Sequence, residues 1–526
     1  MRALRAMAVP ALWALTACGG GGGGGGIGPT PPQPPPFSSV AQVQVSQPTS
    51  FPAGCDGVAS TGTLYVNTAT EPYLAVNPAN PMNFIAAWQQ NRWSDGGSQG
   101  LGFGVSFDAG QSWTLTQAAF SRCTGGNSSN AGNFARATDV WLTVSPNGVM
   151  YALSLSFTGA SLAPGSASAM LVAQSVDSGM TWGAPRALIN DGATVFNDKG
   201  SITADPGNFS FVYAVWDRLT GATAGPSYFA ATADGGQTWQ LARSIYDPGP
   251  ASQTIGNQIV VLPNGTLLDV FTQIDTAAGG AVSASVRAMQ SIDRGTTWTA
   301  PVVVSDLQAV GTTDPLTGKA VRDGSELASV SVGPGGIVYV VWQDSRFSGG
   351  KHDGIAFTQS QDGGTTWSAP VQVNAVTTVQ AFTPTINVRA DGVIAVSYFD
   401  LRNDTFTGLF LTDCWMVLSS DGGTTFQESH LSGPFDLDFA SDSQGLFLGD
   451  YQSLASANGV FLPFYVQTDS DTQVSSDAFI SFPTAGAQAS TFSARPAAAG
   501  VTLSAAARQR VMQRIRLTQR QRLRGG

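Results

Sequence analysis

Six copies of one eight-residue pattern constrain the fold of this 526-residue chain more than any other feature. They read SFDAGQSW at 106, SVDSGMTW at 175, TADGGQTW at 232, SIDRGTTW at 291, SQDGGTTW at 360 and SSDGGTTF at 419. The spacing of 57–69 residues marks one repeat architecture rather than several unrelated domains. Each copy reads as a local turn. The Asp and hydroxyl groups bond turn amides, Gly permits a positive φ, and the aromatic ring packs between neighbouring sheets. The six carboxylates (Asp108, Asp177, Asp234, Asp293, Asp362 and Asp421) are too far apart in the chain to converge on one site, so they are assigned to structure.

A second repeat lies between these turns and occurs seven times. Each copy is an apolar strand, a turn with Pro, Asn or Gly, and a second apolar strand, as in DVWLTVSPNGVMYAL from 139 and LASVSVGPGGIVYVVW from 327. Runs this rich in Val, Ile and aromatics are strands buried on both faces, and Asn147-Gly148, Asn264-Gly265 and Asn458-Gly459 are hairpin turns. The fold class is therefore all-β: a seven-bladed β-propeller over 40–485, each copy supplying the two inner strands of a blade. Seven pairs with six box turns leave the last blade one strand short. The segment 41–46 resembles the outer strand Val371-Gln372-Val373-Asn374, so the N-terminal strand is expected to pair with 475–482 and cover the open edge.

The six turns resemble Asp boxes, the repeats of the sialidase-like β-propellers. Sialidases have six blades, which is the alternative count. In that family the boxes lie opposite the active site, so the resemblance directs attention to the other face, where second strands end and first strands begin. Arg92, Asp95, Arg218, Asp344, Arg346, Asp400 and Arg402 follow second strands there, and Glu71, Arg322 and Tyr451 precede first strands. The resemblance implies Asp95 as general acid/base and Tyr451 as nucleophile or stabiliser, with Arg92, Arg218, Arg322, Arg346 and Arg402, together with Glu71, Asp344 and Asp400, binding substrate. The match is partial. Thr70-Glu71-Pro72 stands where sialidases carry Arg-Ile-Pro, and Asn257 or Gln258 stands where the Glu that activates the Tyr is expected. Strand alternation puts Asp450 and Tyr451 on opposite faces, which removes Asp450 as a substitute base.

Composition sets limits on this reading. Only two histidines are present, too few for a His-rich metal site, and no spaced metal-ligand motif occurs; no cofactor is expected. A net charge of −10 argues against nucleic acid as a partner. That figure hides an asymmetry. The tail 486–526 carries eight arginines and no acid; with these and the signal arginines Arg2 and Arg5 set aside, the rest carries −20. Such a tail contacts anionic lipid, folds onto the acidic body or stays in solvent.

The N-terminal end, 1–17, has a secretory-signal pattern ending in Leu15-Thr16-Ala17-Cys18, which resembles a bacterial lipobox. This implies lipidation of Cys18, a Gly- and Pro-rich tether over 18–39, and attachment to the outer membrane or cell surface. Cys55 and Cys123 are candidates for a disulfide in that compartment, and Cys414 reads as a buried thiol.

Two functions follow from the residues and the resemblance. One is a cell-envelope, sialidase-like glycosidase acting on an exo-linked, acidic sugar. The other is a non-catalytic propeller that binds glycan or protein through its funnel. A lyase using Lys199 beside Asp198 is a third.

Overall fold

A computed structural model describes residues 37–58, 62–404, 408–469, 473–485, 491–498 and 502–523. Cys18, the signal pattern, most of the tether and Arg524 lie outside the described residues. The protein is all-β, built of successive antiparallel meanders, with one α-helix (Ala505–Arg522) among the described residues. The strands Leu64–Val76, Phe84–Trp93, Ser98–Ser106 and Thr114–Thr116 pair in order. The same pattern recurs from Arg136–Val144 to Arg186–Gly192, from Phe196–Ala204 to Arg243–Tyr246, and from Ser252–Val261 to Val302–Asp306. Meanders starting at Ser329–Val332 and Ala381–Val388 follow. The last meander starts at Ser453–Ala457 and ends with Ser476–Ala485. Its outer edge is covered by the N-terminal strand Phe37–Gln44, with Ala41 opposite Phe482 and Val43 opposite Ile480. This is the pairing expected from the sequence.

The core lies between consecutive meanders. Ile85, Phe103 and Val105 pack on Leu142 and Met150 of the next meander. Phe464 and Ile480 of the last meander pack with Phe84 and Trp88 of the first. The box turns sit at these junctions and show why the repeat takes its form. In each, the first hydroxyl accepts from a glycine amide at 2.7–2.9 Å, as in Ser106, Ser175 and Ser360. The carboxylate accepts from the backbone four residues on, as Asp293 does from Thr297 at 2.8 Å. That glycine has positive φ and meets a side chain of the preceding meander: Gly295 faces Phe229, Gly423 faces Phe357 and Gly364 faces Leu268. A Cβ there would overlap the facing side chain, so the glycine is required twice over. The box is a latch between sheets.

Residues 491–522 belong to this body rather than hanging from it. Thr491–Ser493 adds to the edge strand Thr425–Asp436, and Arg495–Pro496 adds to Val371–Gln372. The helix buries Ala507, Val511, Ile515 and Thr518, one stripe at helical spacing, and Val511 and Ile515 pack in a cluster with Val282, Leu307 and Ala328. Of the three expectations for the basic tail, folding onto the acidic body is the one the structure contains. A disulfide joins Cys55 to Cys123, and Cys414 is a buried free thiol.

Candidate functional site

The site begins with a repeated irregularity. The first strand of most meanders slips register, between Thr70 and Tyr73, Thr138 and Trp141, Asp198 and Ser201, Ile255 and Gln258, and Phe382 and Thr385. At each slip one residue has positive φ: Glu71, Asp139, Lys199, Gly256 and Thr383. A bulge of this kind re-aims a side chain. Three of these positions carry charged residues that bear the strain of left-handed backbone, a pattern associated with functional sites.

The re-aimed side chains meet. Lys199 Nζ donates to Glu71 Oε1 at 3.0 Å, Asp139 Oδ1 at 2.8 Å and Asp450 Oδ2 at 2.7 Å. Arg322 grips Asp450 from the other side, at 3.0 and 2.5 Å. All five residues are buried, Lys199 at 7% exposed. Burial pushes the Glu71 carboxyl up to about 8, against the pull of Lys199. Asp450 is held well below the usual carboxylate range: desolvation works against ionisation, but Arg322 and Lys199 outweigh it. The same carboxylates keep Lys199 protonated despite desolvation.

A second layer closes over this cluster. Phe447, which pairs beside Arg322 in a short parallel bridge, lies 4.5 Å from both the Arg92 and the Arg322 guanidinium. Arg92 also donates to Ser443 and Gln89. The C-terminal helix adds two arginines. Arg514 pairs with Asp323 at 2.5 Å, and Arg522 pairs with Asp198 at 2.7 Å while donating to Gln253 and the Thr254 carbonyl. Arg522 also lies 3.6 Å from Asp217, whose carboxyl burial pushes up to about 7.

The sequence-derived residues divide into two groups. Glu71, Arg92 and Arg322 gather here. Arg218, Arg346 and Arg402 do not join them, which corrects the expected ring of five arginines. Arg218 turns to Asp191 at 2.7 Å, Arg346 to Asp344 at 2.8 Å, and Arg402 to Asp400 at 2.6 Å and Glu428 at 2.5 Å. Each is tied to a carboxylate on a meander edge or its own strand end, and Asp344 and Asp400 serve those pairs. Asp95 forms an ion pair with Arg136 at 2.8 Å. The Tyr451 hydroxyl donates to the Val140 carbonyl at 3.0 Å, and burial pushes its pKa well up.

Asp450 and Tyr451 are not separated by strand alternation. No regular strand begins until Ser453, and Gly449 with φ 147° bends the chain, so both side chains line one cavity. That cavity, about 160 Å³, runs beneath the Lys199 cluster along the first strands, from Asp139 and Gly324 to Ser331 and Asn387. Phe447, Arg514 and Arg522 were not among the expected residues. The helix arginines had a signal: Val511, Ile515, Thr518 and Arg522 share one face of an acid-free segment. Among the described residues no group of acidic, His or Cys side chains is arranged to hold a metal ion.

Residues 227–447 match the family model of the BNR repeat-like domain. The matched stretch is less than half of the chain and contains four of the six box turns. No curated protein matches the chain. Among solved structures, the NanB sialidase from Streptococcus pneumoniae is similar at 10% identity, with 85% of this chain and 99% of that one covered and a TM-score of 0.44. A protein of unknown function from Dyadobacter fermentans gives 14%, 69% and 95%, with a TM-score of 0.43. An α-L-arabinanase from Penicillium chrysogenum, complexed with arabinobiose, gives 14%, 64% and 94%, with a TM-score of 0.42. Likenesses this distant say nothing of substrate.

Proposed function

We propose that the protein is a seven-bladed β-propeller of the cell envelope, anchored through Cys18, that binds glycan without hydrolysing it. The blades are 64–116, 136–192, 196–246, 252–306, 329–372, 381–436 and 453–485, the last completed by Phe37–Gln44. One observation carries the non-catalytic reading: the charges on the funnel face are spent on one another and on the C-terminal helix. Arg514 and Arg522 take carboxylates there, Phe447 stacks against Arg92 and Arg322, and the Tyr451 hydroxyl is given to a backbone carbonyl. A tyrosine whose pKa is pushed up has no path to becoming a nucleophile unless a base takes its proton.

A second reading, hydrolysis of an exo-linked sugar, is favoured by Glu71. Its carboxyl, raised to about 8, holds a proton at neutral pH as a general acid does. A panel of fluorogenic glycosides and a glycan array separate the two. The binding reading expects array signals and no turnover, with a chain truncated after 498 equally inactive. Turnover that Tyr451→Phe abolishes in either chain would establish the second reading, and turnover only after truncation would make the helix an inhibitor.

A further inference from the structure

The cavity beneath the Lys199 cluster is lined by several residues that hold unpartnered acceptors. Three of the residues that line it each hold a buried oxygen with no donor: Asp139 Oδ2, Gln452 Oε1 and Asn387 Oδ1. Asp139 is 1% exposed and Gln452 is 4% exposed. The Gln452 amide is oriented by its own nitrogen, which donates to the Thr383 carbonyl at 2.7 Å, and its oxygen is left without a donor. Buried acceptors of this kind are costly unless a donor reaches them. Lys199 cannot be that donor, since all three of its protons are taken by carboxylates. Gln258 likewise gives its amide to the Ala328 carbonyl at 2.8 Å.

Part of the remaining wall is aromatic. Tyr73 and Trp141 lie 4.2 Å apart between ring centres, and Trp141 and Tyr451 lie 5.5 Å apart. Rings offer faces to C–H groups, while the acceptors call for hydroxyl donors, and that combination matches a sugar ring. The volume, about 160 Å³, holds roughly ten water-sized groups, enough for one pyranose or furanose residue.

Charge narrows the class. The cavity wall presents Asp139 and Asp450, whose partner Lys199 is already saturated, and the arginines Arg92 and Arg322 stack on Phe447 rather than lining it. An anionic sugar would meet carboxylates and no free cation. Access is also one-sided. The end at Asp139, Lys199 and Asp450 is buried beneath the second layer, whereas Ser329, Ser331 and Asn387 at the other end are half-buried. Those residues lead to the turns around Gly336 and Gly392. Such turns share a face with the Asp boxes, since Gln290 donates to the box glycine Gly363, which in turn lies against Leu262 of a neighbouring turn.

We propose that this cavity is a binding site for one neutral sugar residue, entered from the Asp-box face, with Asp139, Gln452 and Asn387 accepting its hydroxyls and Trp141 packing on its ring. This rests on the glycan-binding reading and departs from the acidic sugar expected from the sequence.

The test uses the purified full chain with methyl hexosides, methyl pentosides and sialic acid, read by calorimetry and by tryptophan emission. At least one neutral glycoside is expected to bind and shift the emission, and sialic acid is not. Gln452→Leu keeps the volume and removes an acceptor, and is expected to weaken that binding at least tenfold. Ser331→Trp narrows the open end and is expected to abolish it, while far-ultraviolet circular dichroism verifies that both variants fold. Binding of sialic acid alone, or neutral-sugar binding unchanged in both variants, would overturn the proposal. Array binding that survives Ser331→Trp would leave the glycan-binding reading standing with its site elsewhere. Absence of all sugar binding, with water as the only occupant, would sink both.

Discussion

Replacing Lys199 by Met tests whether the central cluster holds the sheets together. The methionine keeps most of the side-chain volume and removes the ammonium from among Glu71, Asp139 and Asp450, which lie 3.0, 2.8 and 2.7 Å away. At an effective dielectric near 20, one such contact is worth about 6 kcal/mol of attraction. Three contacts do not sum to a net stability. The ammonium and three carboxylates were all taken from water, and the carboxylates repel one another. What the variant loses is the compensation of buried charge, for which about 3–5 kcal/mol is the usual cost of removing one partner. With a urea slope of about 3 kcal/mol/M for a body this size, a 4 kcal/mol loss lowers the unfolding midpoint by about 1.3 M.

The deficit also depends on pH. Without Lys199 the three carboxylates favour protons in the folded state, so the variant is closest to the parent at about pH 5 and furthest at about pH 8. Urea titrations of both proteins at these two values, followed by circular dichroism, measure this. A loss below about 1 kcal/mol at pH 8, or a deficit that grows toward acid, would refute the account of the cluster as a charge-compensated lock.

Two further expectations come from other parts of the molecule. Gly295→Ala places a methyl at φ +83° against the Phe229 ring of the neighbouring sheet, and a loss of about 2–3 kcal/mol is expected by thermal melting, larger than that of Gly265→Ala, which has the same φ in an open turn and carries the backbone cost alone. For the parent protein, Glu71 at about 8, with Asp217 and Asp353 each at about 7, binds protons more tightly folded than unfolded. The unfolded chain then holds fewer protons between about pH 4 and 8, so stability falls as pH rises through that window. Glu71→Gln should flatten part of that slope in melts across pH 5–8. Below about pH 4 the sign reverses, because the box carboxylates Asp108, Asp234, Asp293 and Asp362 are held near 2 by hydroxyl and amide donors and lose that stabilisation on protonation.

Local chemistry made much of the fold legible. The box turns act within eight residues, so Ser291, Asp293, Gly295 and Thr297 carry their whole hydrogen-bond pattern in the sequence. The doubly buried strands are likewise local, since Val, Ile and aromatic runs between hairpin turns have one favoured state. The pairing of 41–46 with the last meander was legible for a related reason: one blade lacked a strand, and an open edge demands a partner.

The site was not local, and the sequence determined only its ingredients. Arg218, Arg346 and Arg402 looked the same as Arg92 and Arg322 along the chain. Which of them turned outward was decided by carboxylates such as Asp191 and Glu428 on other strands. Bulges at Glu71, Asp139 and Lys199 broke the two-residue alternation on which strand readings rely, and so gathered charges separated by 60 residues or more. The acid-free tail announced a cation in search of an acidic partner. Only the closed arrangement of the sheets put Asp198 and Asp323 where Arg522 and Arg514 could reach them, because long-range charge pairing depends on distances that the order of residues does not contain.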